Sequence, residues 1–66
     1  MPIVYIIEDS MSHEIFAIDC EESIHTFNAR NERVDVLTRG QFFGSDLDFY
    51  EIEGEAAAAF LAERGW

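Results

Sequence analysis

The chain has 66 residues, 48% of them hydrophobic, with six Phe, two Tyr and one Trp. This composition predicts one small globular domain over residues 1–66 and excludes intrinsic disorder, which needs low hydrophobicity as well as high charge. The formal net charge is −10 and all four bases are Arg. So acidic a chain lacks the basic footprint needed for direct binding to nucleic acid, and an anionic membrane is excluded for the same reason.

The single Cys20 has no internal disulfide partner, so a reducing cytoplasm is the expected location. The sequence shows neither a signal-peptide pattern nor a long apolar run, and we therefore expect a protein that is neither secreted nor membrane-spanning.

The first elements in chain order are predicted strands. Ile3–Ile7 is a run of β-branched and aromatic residues, typical of a strand buried on both faces at the centre of a sheet. Residues 14–20 alternate between two faces and predict a second strand. A turn at residues 10–12 would join the two strands as a hairpin.

Residues 19–27 fit two structures. Asp19 and Glu22 match a helix capping box, and Cys20, Ile24 and Phe27 follow at the spacing of one helical face. This pattern predicts a short middle helix. The same stretch contains the good strand formers Ile, Thr and Phe, so a longer bent strand running on from the second strand is the alternative.

The second half begins with another predicted strand at residues 33–39. Gly40 and Gly44 then bracket two Phe residues in a predicted loop. Residues 47–53 predict the last strand, which we expect to pair with residues 33–39 as a hairpin and to end at Gly54.

Residues 55–64 predict a C-terminal helix, because they include four consecutive Ala residues, an acid at the start and a base at the end. Gly65 and Trp66 predict a Schellman cap in which Trp66 contacts Leu61. Together the elements predict an α+β fold: a small antiparallel sheet of about four strands, with a C-terminal helix and a short middle helix on one face.

No motif predicts catalysis or a cofactor. The two His and the single Cys show no metal-binding spacing. Asp46, Asp48 and Glu51 do not form a calcium loop, because Tyr50 and Glu51 occupy the fifth and sixth positions, where an acid and a Gly are needed. We therefore expect a protein that is not an enzyme and binds neither a metal nor a cofactor.

The acids are separated from the bases along the chain. Residues 1–29 hold six acids and no base, residues 30–39 carry a net charge of +1, and residues 40–66 carry −5 with Arg64 as their only base. The densest group lies near the last predicted strand and consists of Asp46, Asp48, Glu51, Glu53 and Glu55.

These acids predict a surface that presents rows of anionic oxygens to a basic groove. Glu51 and Glu53 would lie about 6.6 Å apart on one face of a strand. This spacing is close to two axial phosphate steps of a DNA strand, each about 3.4 Å. Asp48 has the opposite parity to Glu51, so a bulge near residues 49–50 would be needed to bring the two onto one face.

Four further residues are candidates for the same surface. Glu21 and Glu22 extend it if the starts of the two predicted helices lie on the same side of the molecule. Tyr50 and Phe43 are candidate aromatic anchors at its rim, because a few aromatic or Arg side chains dominate interface energies.

The high acid content is also compatible with two roles that involve no partner. A solvated acidic face that aids solubility is the first. Adaptation to high salt is the second, since proteins of salt-loving organisms are rich in acids and poor in Lys. The six Phe residues argue against salt adaptation, because high salt already strengthens apolar burial.

A small, acidic α+β domain without Lys or catalytic residues resembles phage-encoded inhibitors of bacterial defence, especially anti-CRISPR and anti-restriction proteins that imitate DNA. The resemblance covers the whole chain in size and composition and includes no shared motif. It implies an inhibitor in the cytoplasm of a bacterial host cell that occupies a basic nucleic-acid-binding groove of a defence complex, such as a CRISPR effector. The alternative is an acidic antitoxin-like or regulatory module that binds a basic protein through an aromatic or apolar face. Both a monomer and a homodimer are compatible with the sequence.

Overall fold

The computed structural model describes residues 3–8 and 13–66. Its strands are β1 (Ile3–Ile7), β2 (Phe16–Cys20), β3 (Ser23–Phe27), β4 (Arg33–Thr38) and β5 (Phe49–Glu53). Its helices are α1 (Arg39–Phe43) and α2 (Gly54–Glu63). The predicted α+β class, with an antiparallel sheet and a C-terminal helix, is confirmed. The predicted turn at residues 10–12 lies outside the described residues.

The strands form one sheet in the order β4-β3-β2-β1-β5, and every neighbouring pair is antiparallel. The hairpin of β1 with β2 is confirmed, and so is the interior position of β1. The predicted hairpin of the last two strands is wrong, because β5 pairs with β1 and leaves β4 at the opposite edge. The physical reason is that β1 is apolar on both faces and is best buried with a strand on each side.

Residues 23–27 form β3, so the predicted middle helix and its capping box at Asp19 are wrong. The alternative of one bent strand is also wrong, because β3 turns back and pairs antiparallel with β2. Ile24 and Phe27 are both buried, but on opposite faces of the sheet. Their spacing fits a helical face equally well, and the strand wins because β-branched and aromatic side chains pack well on a sheet. The sheet therefore has five strands.

The tight turn between β2 and β3 is held by a residue from a distant part of the chain. Glu21 occupies the left-handed region at φ 57°. The guanidinium group of Arg39 donates to a carboxylate oxygen of Asp19 at 2.6 Å and also to the carbonyl oxygen of Glu21. Arg39 thus joins the start of α1 to the turn and neutralises one acid there.

The helices lie on opposite faces of the sheet, which we name the α1 face and the α2 face. The buried core on the α1 face comprises Tyr5, Ile7, Ala17, Ile24 and Phe42. The buried core on the α2 face comprises Val4, Phe16, Phe27 and Ala57. The prediction of helices on a single face is therefore corrected: α2 covers one face, and the short helix of the fold is α1 on the other.

Helix α1 replaces the loop predicted between Gly40 and Gly44. The hydroxyl of Thr38 accepts the N–H of Gln41, and the side chain of Gln41 accepts the N–H of Thr38, which completes a capping box. Phe42 is fully buried on the α1 face. Helix α1 begins the connection from β4 at one edge of the sheet to β5 at the other. The helical backbone, held by its capping box, fixes the position of Phe42.

Helix α2 ends in the predicted Schellman motif. The N–H of Trp66 donates to the carbonyl of Leu61 at 3.0 Å, and Gly65 has a φ of 84°. The indole ring of Trp66 packs edge-on against Phe27, with 5.1 Å between the ring centroids. No helix within residues 3–8 and 13–66 is both long enough and apolar enough to cross a membrane.

Candidate protein-binding surface

Acidic residues follow β5 along one edge of the sheet. We name as the acidic edge the five exposed residues Asp46, Asp48, Glu51, Glu53 and Glu55. The first two precede β5, the next two lie on it, and Glu55 is in the first turn of α2. All five predicted acids of this group are therefore brought to the same edge.

The β2–β3 turn adds two acids at one end of this edge. Strands β2 and β5 run in the same direction, because each is antiparallel to β1. Glu21 and Glu22, which follow β2, therefore lie at the same end of the sheet as Glu55, which follows β5. Since neighbouring strands are about 4.8 Å apart, the turn is about 12 Å from β5 across the sheet. The prediction that Glu21 and Glu22 extend the surface assumed two helix starts on one side; the first of these helices does not exist, and the β2–β3 turn is what places the two acids at the Glu55 end of the sheet.

Glu51 and Glu53 share one face of β5, as the strand period predicts. They lie opposite Tyr5 and Ile3, which belong to the α1 face. The register between β1 and β5 continues without a shift, so the bulge that would move Asp48 onto this face is absent from β5. The acids therefore follow the edge as a line and do not all lie on one face.

Three of the four Arg residues lie on the far side of the sheet. Arg30 is in the connection between β3 and β4, and Arg33 begins β4. Arg64, at the end of α2, is tied to the same connection because the amide of Asn31 donates to its carbonyl at 2.6 Å. Strands β4 and β5 are four spacings apart, or about 19 Å. The charge of the protein is thus polarised across the sheet.

Two of the bases are also engaged in internal contacts. The guanidinium of Arg64 lies 3.7 Å from the centroid of the Phe60 ring, and Arg39 is paired with Asp19. Among the described residues, no base lies within ion-pair distance of a carboxylate of the acidic edge. Within the part of the chain that the structure describes, no Arg therefore compensates the charge of the acidic edge by a direct ion pair.

The two predicted aromatic anchors flank β5 on opposite faces. Phe43 and Tyr50 are each 49% exposed. Phe43, at the end of α1, packs edge-on against Tyr5 at 5.5 Å between centroids. Tyr50 follows the parity of Ile52 and lies on the α2 face. A partner that contacts both rings would have to enclose the edge from two sides.

Two side chains within the sheet, those of Tyr5 and Cys20, have raised pKa values. Burial raises the pKa of Tyr5, and the nearby charges of Asp19 and Glu51 raise it further. The pKa of Cys20 is raised by burial first and by Asp19 second. Both pKa shifts favour the neutral, protonated form of the side chain, the phenol of Tyr5 and the thiol of Cys20, beside the acidic groups.

Within residues 3–8 and 13–66 the structure has no pocket and no three His, Cys, Asp or Glu side chains converging on one point. The hydroxyl of Ser23 lies 3.1 Å from Nε2 of His25 and also donates to the carbonyl of Cys20. The first contact lies within β3, and the second links β3 to the end of β2.

Comparison with known proteins identifies no relative: no family model, curated protein or solved structure matches the chain. The function of the protein is therefore inferred from its own surface. Sequence reasoning found the acids but missed the polarity of the charge, because that polarity depends on the order of the strands.

Proposed function

We propose that the protein is a non-enzymatic inhibitor in the cytoplasm of a bacterial host cell, where it binds a basic nucleic-acid-binding groove of a defence complex such as a CRISPR effector. The acidic edge takes the place of the nucleic acid. One observation supports this most strongly: exposed carboxylates follow a whole edge of the sheet, and three of the four Arg residues lie on the other side.

The charge pattern favours fast and oriented association. A surface with one sign of charge attracts an oppositely charged groove over long distances and fixes the orientation of the encounter. Because three of the four Arg residues lie on the far side and the fourth, Arg39, is paired with Asp19, the protein would approach a basic groove with β5 first. No base of the described residues has to be released from the acidic edge before binding.

The spacing along β5 resembles the spacing of phosphates. Glu51 and Glu53 are separated by two residues of extended chain, or about 6.6 Å. Successive phosphates of one DNA strand advance by about 3.4 Å along the helix axis, so the two carboxylates span an axial distance close to two phosphate steps. Phe43, half-exposed beside them on the α1 face, supplies an apolar anchor of the kind that dominates many interfaces.

The proposal is tested by competition with DNA. Purified guide-loaded CRISPR effectors are incubated with labelled target duplex, and the protein is titrated in. The acidic-edge variant carries Asp48→Asn, Glu51→Gln and Glu53→Gln. The control variant removes the same charge at exposed acids elsewhere and carries Glu32→Gln, Asp35→Asn and Glu63→Gln.

We expect the wild-type protein and the control variant to displace the duplex from at least one effector. The acidic-edge variant should need about tenfold more protein or worse, since each lost charge pair contributes up to about 1 kcal/mol and 1.4 kcal/mol is tenfold. Equal potency of the two variants, or no displacement from any effector by the wild type, would contradict the proposal.

A second candidate is an antitoxin-like or regulatory module that binds a basic protein through its apolar side chains. The exposure of Phe43 and Tyr50 favours it. In that case, Phe43→Ala and Tyr50→Ala would each weaken binding more than the acidic-edge variant does. The same titration separates the two candidates.

A further inference from the structure

The outer side of β5 carries backbone groups that no strand of the described residues pairs with. The N–H of Glu8 donates to the carbonyl of Asp48 at 2.8 Å, in register with the pairing of β1 and β5. Hydrogen-bonded pairs alternate with non-bonded pairs in an antiparallel ladder. The residues that direct their backbone groups towards β1 are therefore Asp48, Tyr50 and Ile52. Those that direct them outward are Phe49, Glu51 and Glu53.

The outward groups are available for pairing. Glu53 is the N-cap of α2, so its carbonyl serves the helix, but its N–H and both groups of Phe49 and Glu51 face outward. Within residues 3–8 and 13–66 these groups have no hydrogen-bond partner. An edge of this kind is a template for a further strand.

The opposite edge is closed by its own side chains. The carboxylate of Asp35 accepts the N–H of Val36 at 2.8 Å, and the side chain of Gln41 accepts the N–H of Thr38 at 2.9 Å. By the same alternation, these two N–H groups lie on the outer side of β4. A register shift opposite Thr26 further distorts this edge. Side chains and irregularities of this kind block strand addition, so the two edges of the sheet are not equivalent.

The side chains of β5 select the strand that can be added. Residues directly opposite one another in an antiparallel pair project on the same face. A guest strand would therefore place its residues opposite Glu51 and Glu53 on the α1 face, where bases are favoured, and the residue opposite Tyr50 on the α2 face, where an apolar side chain fits. A second copy pairing through β5 would bring Glu51 and Glu53 against each other, and like charges in that position are destabilising.

We propose that β5 binds, by antiparallel strand addition, an extended segment of its partner in which Lys or Arg alternates with apolar residues. Main-chain hydrogen bonds supply affinity in this mode, and alternate side chains supply specificity. The inference rests on the proposed function in one respect, that the partner is basic. It adds that the partner contributes an extended segment and not only a preformed groove.

The probe is a ten-residue peptide that alternates Lys and Val, compared with a peptide of the same composition whose Lys residues form one block. Two further peptides carry N-methyl groups, one on the Lys amides and one on the Val amides. In the proposed pairing the Lys amides point at β5 and the Val amides point away. Affinity is measured by titration, and amide hydrogen exchange of β5 is followed by NMR.

We expect the alternating peptide to bind at least tenfold more tightly than the block peptide. Methylation of the Lys amides should cost at least tenfold, and methylation of the Val amides should cost much less. The amides of Phe49, Glu51 and Glu53 should exchange quickly in the free protein and at least tenfold more slowly with the peptide bound. The amides of Tyr50 and Ile52 should be protected in both states.

Equal effects of the two methylations, or unchanged exchange at Phe49 and Glu51 under saturating peptide, would overturn the inference. If the peptide then still lost affinity with the acidic-edge variant and not with the control variant, the acidic surface would stand and only strand addition would be wrong. If the amides were protected but affinity were the same for both variants, strand addition would stand and the electrostatic basis of the proposed function would fail.

Discussion

Tyr5 lies where the core of the α1 face meets the acidic edge. Its ring packs against the aromatic side chains of Phe42, Phe43 and Phe49, while Glu51 lies directly opposite on β5. Burial and the neighbouring acids together raise the pKa of its hydroxyl. Because the chain has no Lys, few side chains ionise at alkaline pH, and the behaviour of Tyr5 can be measured without that background.

The raised pKa of Tyr5 predicts a loss of stability at high pH. Its contribution is fully present below the unfolded value of 10.0 and is lost as the pH rises through the higher folded value, since the unfolded state then releases the proton more readily. The free energy of unfolding, measured with urea between pH 8 and pH 11, should fall less for Tyr5→Phe than for the wild type. The half-exposed Tyr50→Phe serves as the control. An identical fall in the wild type and Tyr5→Phe would contradict the prediction.

Phe42 makes the largest contribution of α1 to the fold. Its ring is fully buried and lies 4.6 Å from that of Phe49 between centroids. Phe42→Ala should lower the free energy of unfolding by about 3–5 kcal/mol, a large share of the total for so small a chain. The neighbouring Phe43→Ala, which removes a half-exposed ring, should cost about 1 kcal/mol. Denaturant unfolding of both variants checks this, and equal costs would show that α1 does not pack as described.

At the scale of elements, the sequence predicts what local pattern decides. The two-sided apolar run of β1, the alternation of β2 and the Ala-rich α2 with its Gly65 cap each specify their structure within a few residues. The capping box of α1, formed by Thr38 and Gln41, is also a local signal. The flanking Gly residues nevertheless led to the prediction of a loop at this position. The side chains of a strand alternate between its two faces. This alternation alone predicts that Glu51 and Glu53 lie on one face, without any information on tertiary structure.

Other features depend on contacts between distant parts of the chain. Ile24 and Phe27 satisfy helical spacing, and only the presence of a sheet with two covered faces makes β3 the better solution. The pairing of β5 with β1 requires the chain to cross the α1 face, which no short motif encodes. The separation of the acidic edge from three of the four Arg residues follows from that pairing. The sequence could therefore predict which acids form the candidate surface, but not that most of the Arg residues lie away from it.

The capping box of α1 predicts that a substitution at Thr38 lowers the stability of the protein by a measurable amount. Thr38→Ala removes the acceptor of the Gln41 N–H and should lower the free energy of unfolding by about 1 kcal/mol. Thr38→Ser keeps the hydroxyl and should stay close to the wild type. Thermal or urea unfolding of the pair distinguishes a cap from a general effect of shortening the side chain; similar losses in both would count against the cap.

For the whole molecule, the arrangement of charge matters as much as its amount. The principal extents are 27 × 23 × 18 Å. The Debye length is about 30 Å at 10 mM salt and about 3 Å at 1 M. In dilute buffer every acid therefore interacts with every other, and the acidic edge bears the greatest repulsion because three of the four Arg residues are on the far side and Arg39 is paired with Asp19.

This polarity predicts how stability responds to salt. At 10 mM salt the wild type should be folded, and the acidic-edge variant should gain more stability than the control variant, whose acids lie nearer the Arg residues. The difference should vanish at 1 M, where screening removes long-range repulsion. Urea unfolding at both salt concentrations measures it. A wild-type protein that is unfolded at 10 mM and folds only in molar salt would instead indicate adaptation to high salt.

The claim that the acidic edge is the binding surface is tested most directly by the salt dependence of binding to an effector from which the protein displaces DNA. The measurement is the slope of log Kd against log salt concentration for the wild type, the acidic-edge variant and the control variant. If the edge carries the interaction, affinity falls steeply with salt for the wild type and the control variant, and the slope is clearly shallower for the acidic-edge variant. Three equal slopes, or a wild-type affinity that does not change with salt, would contradict the claim.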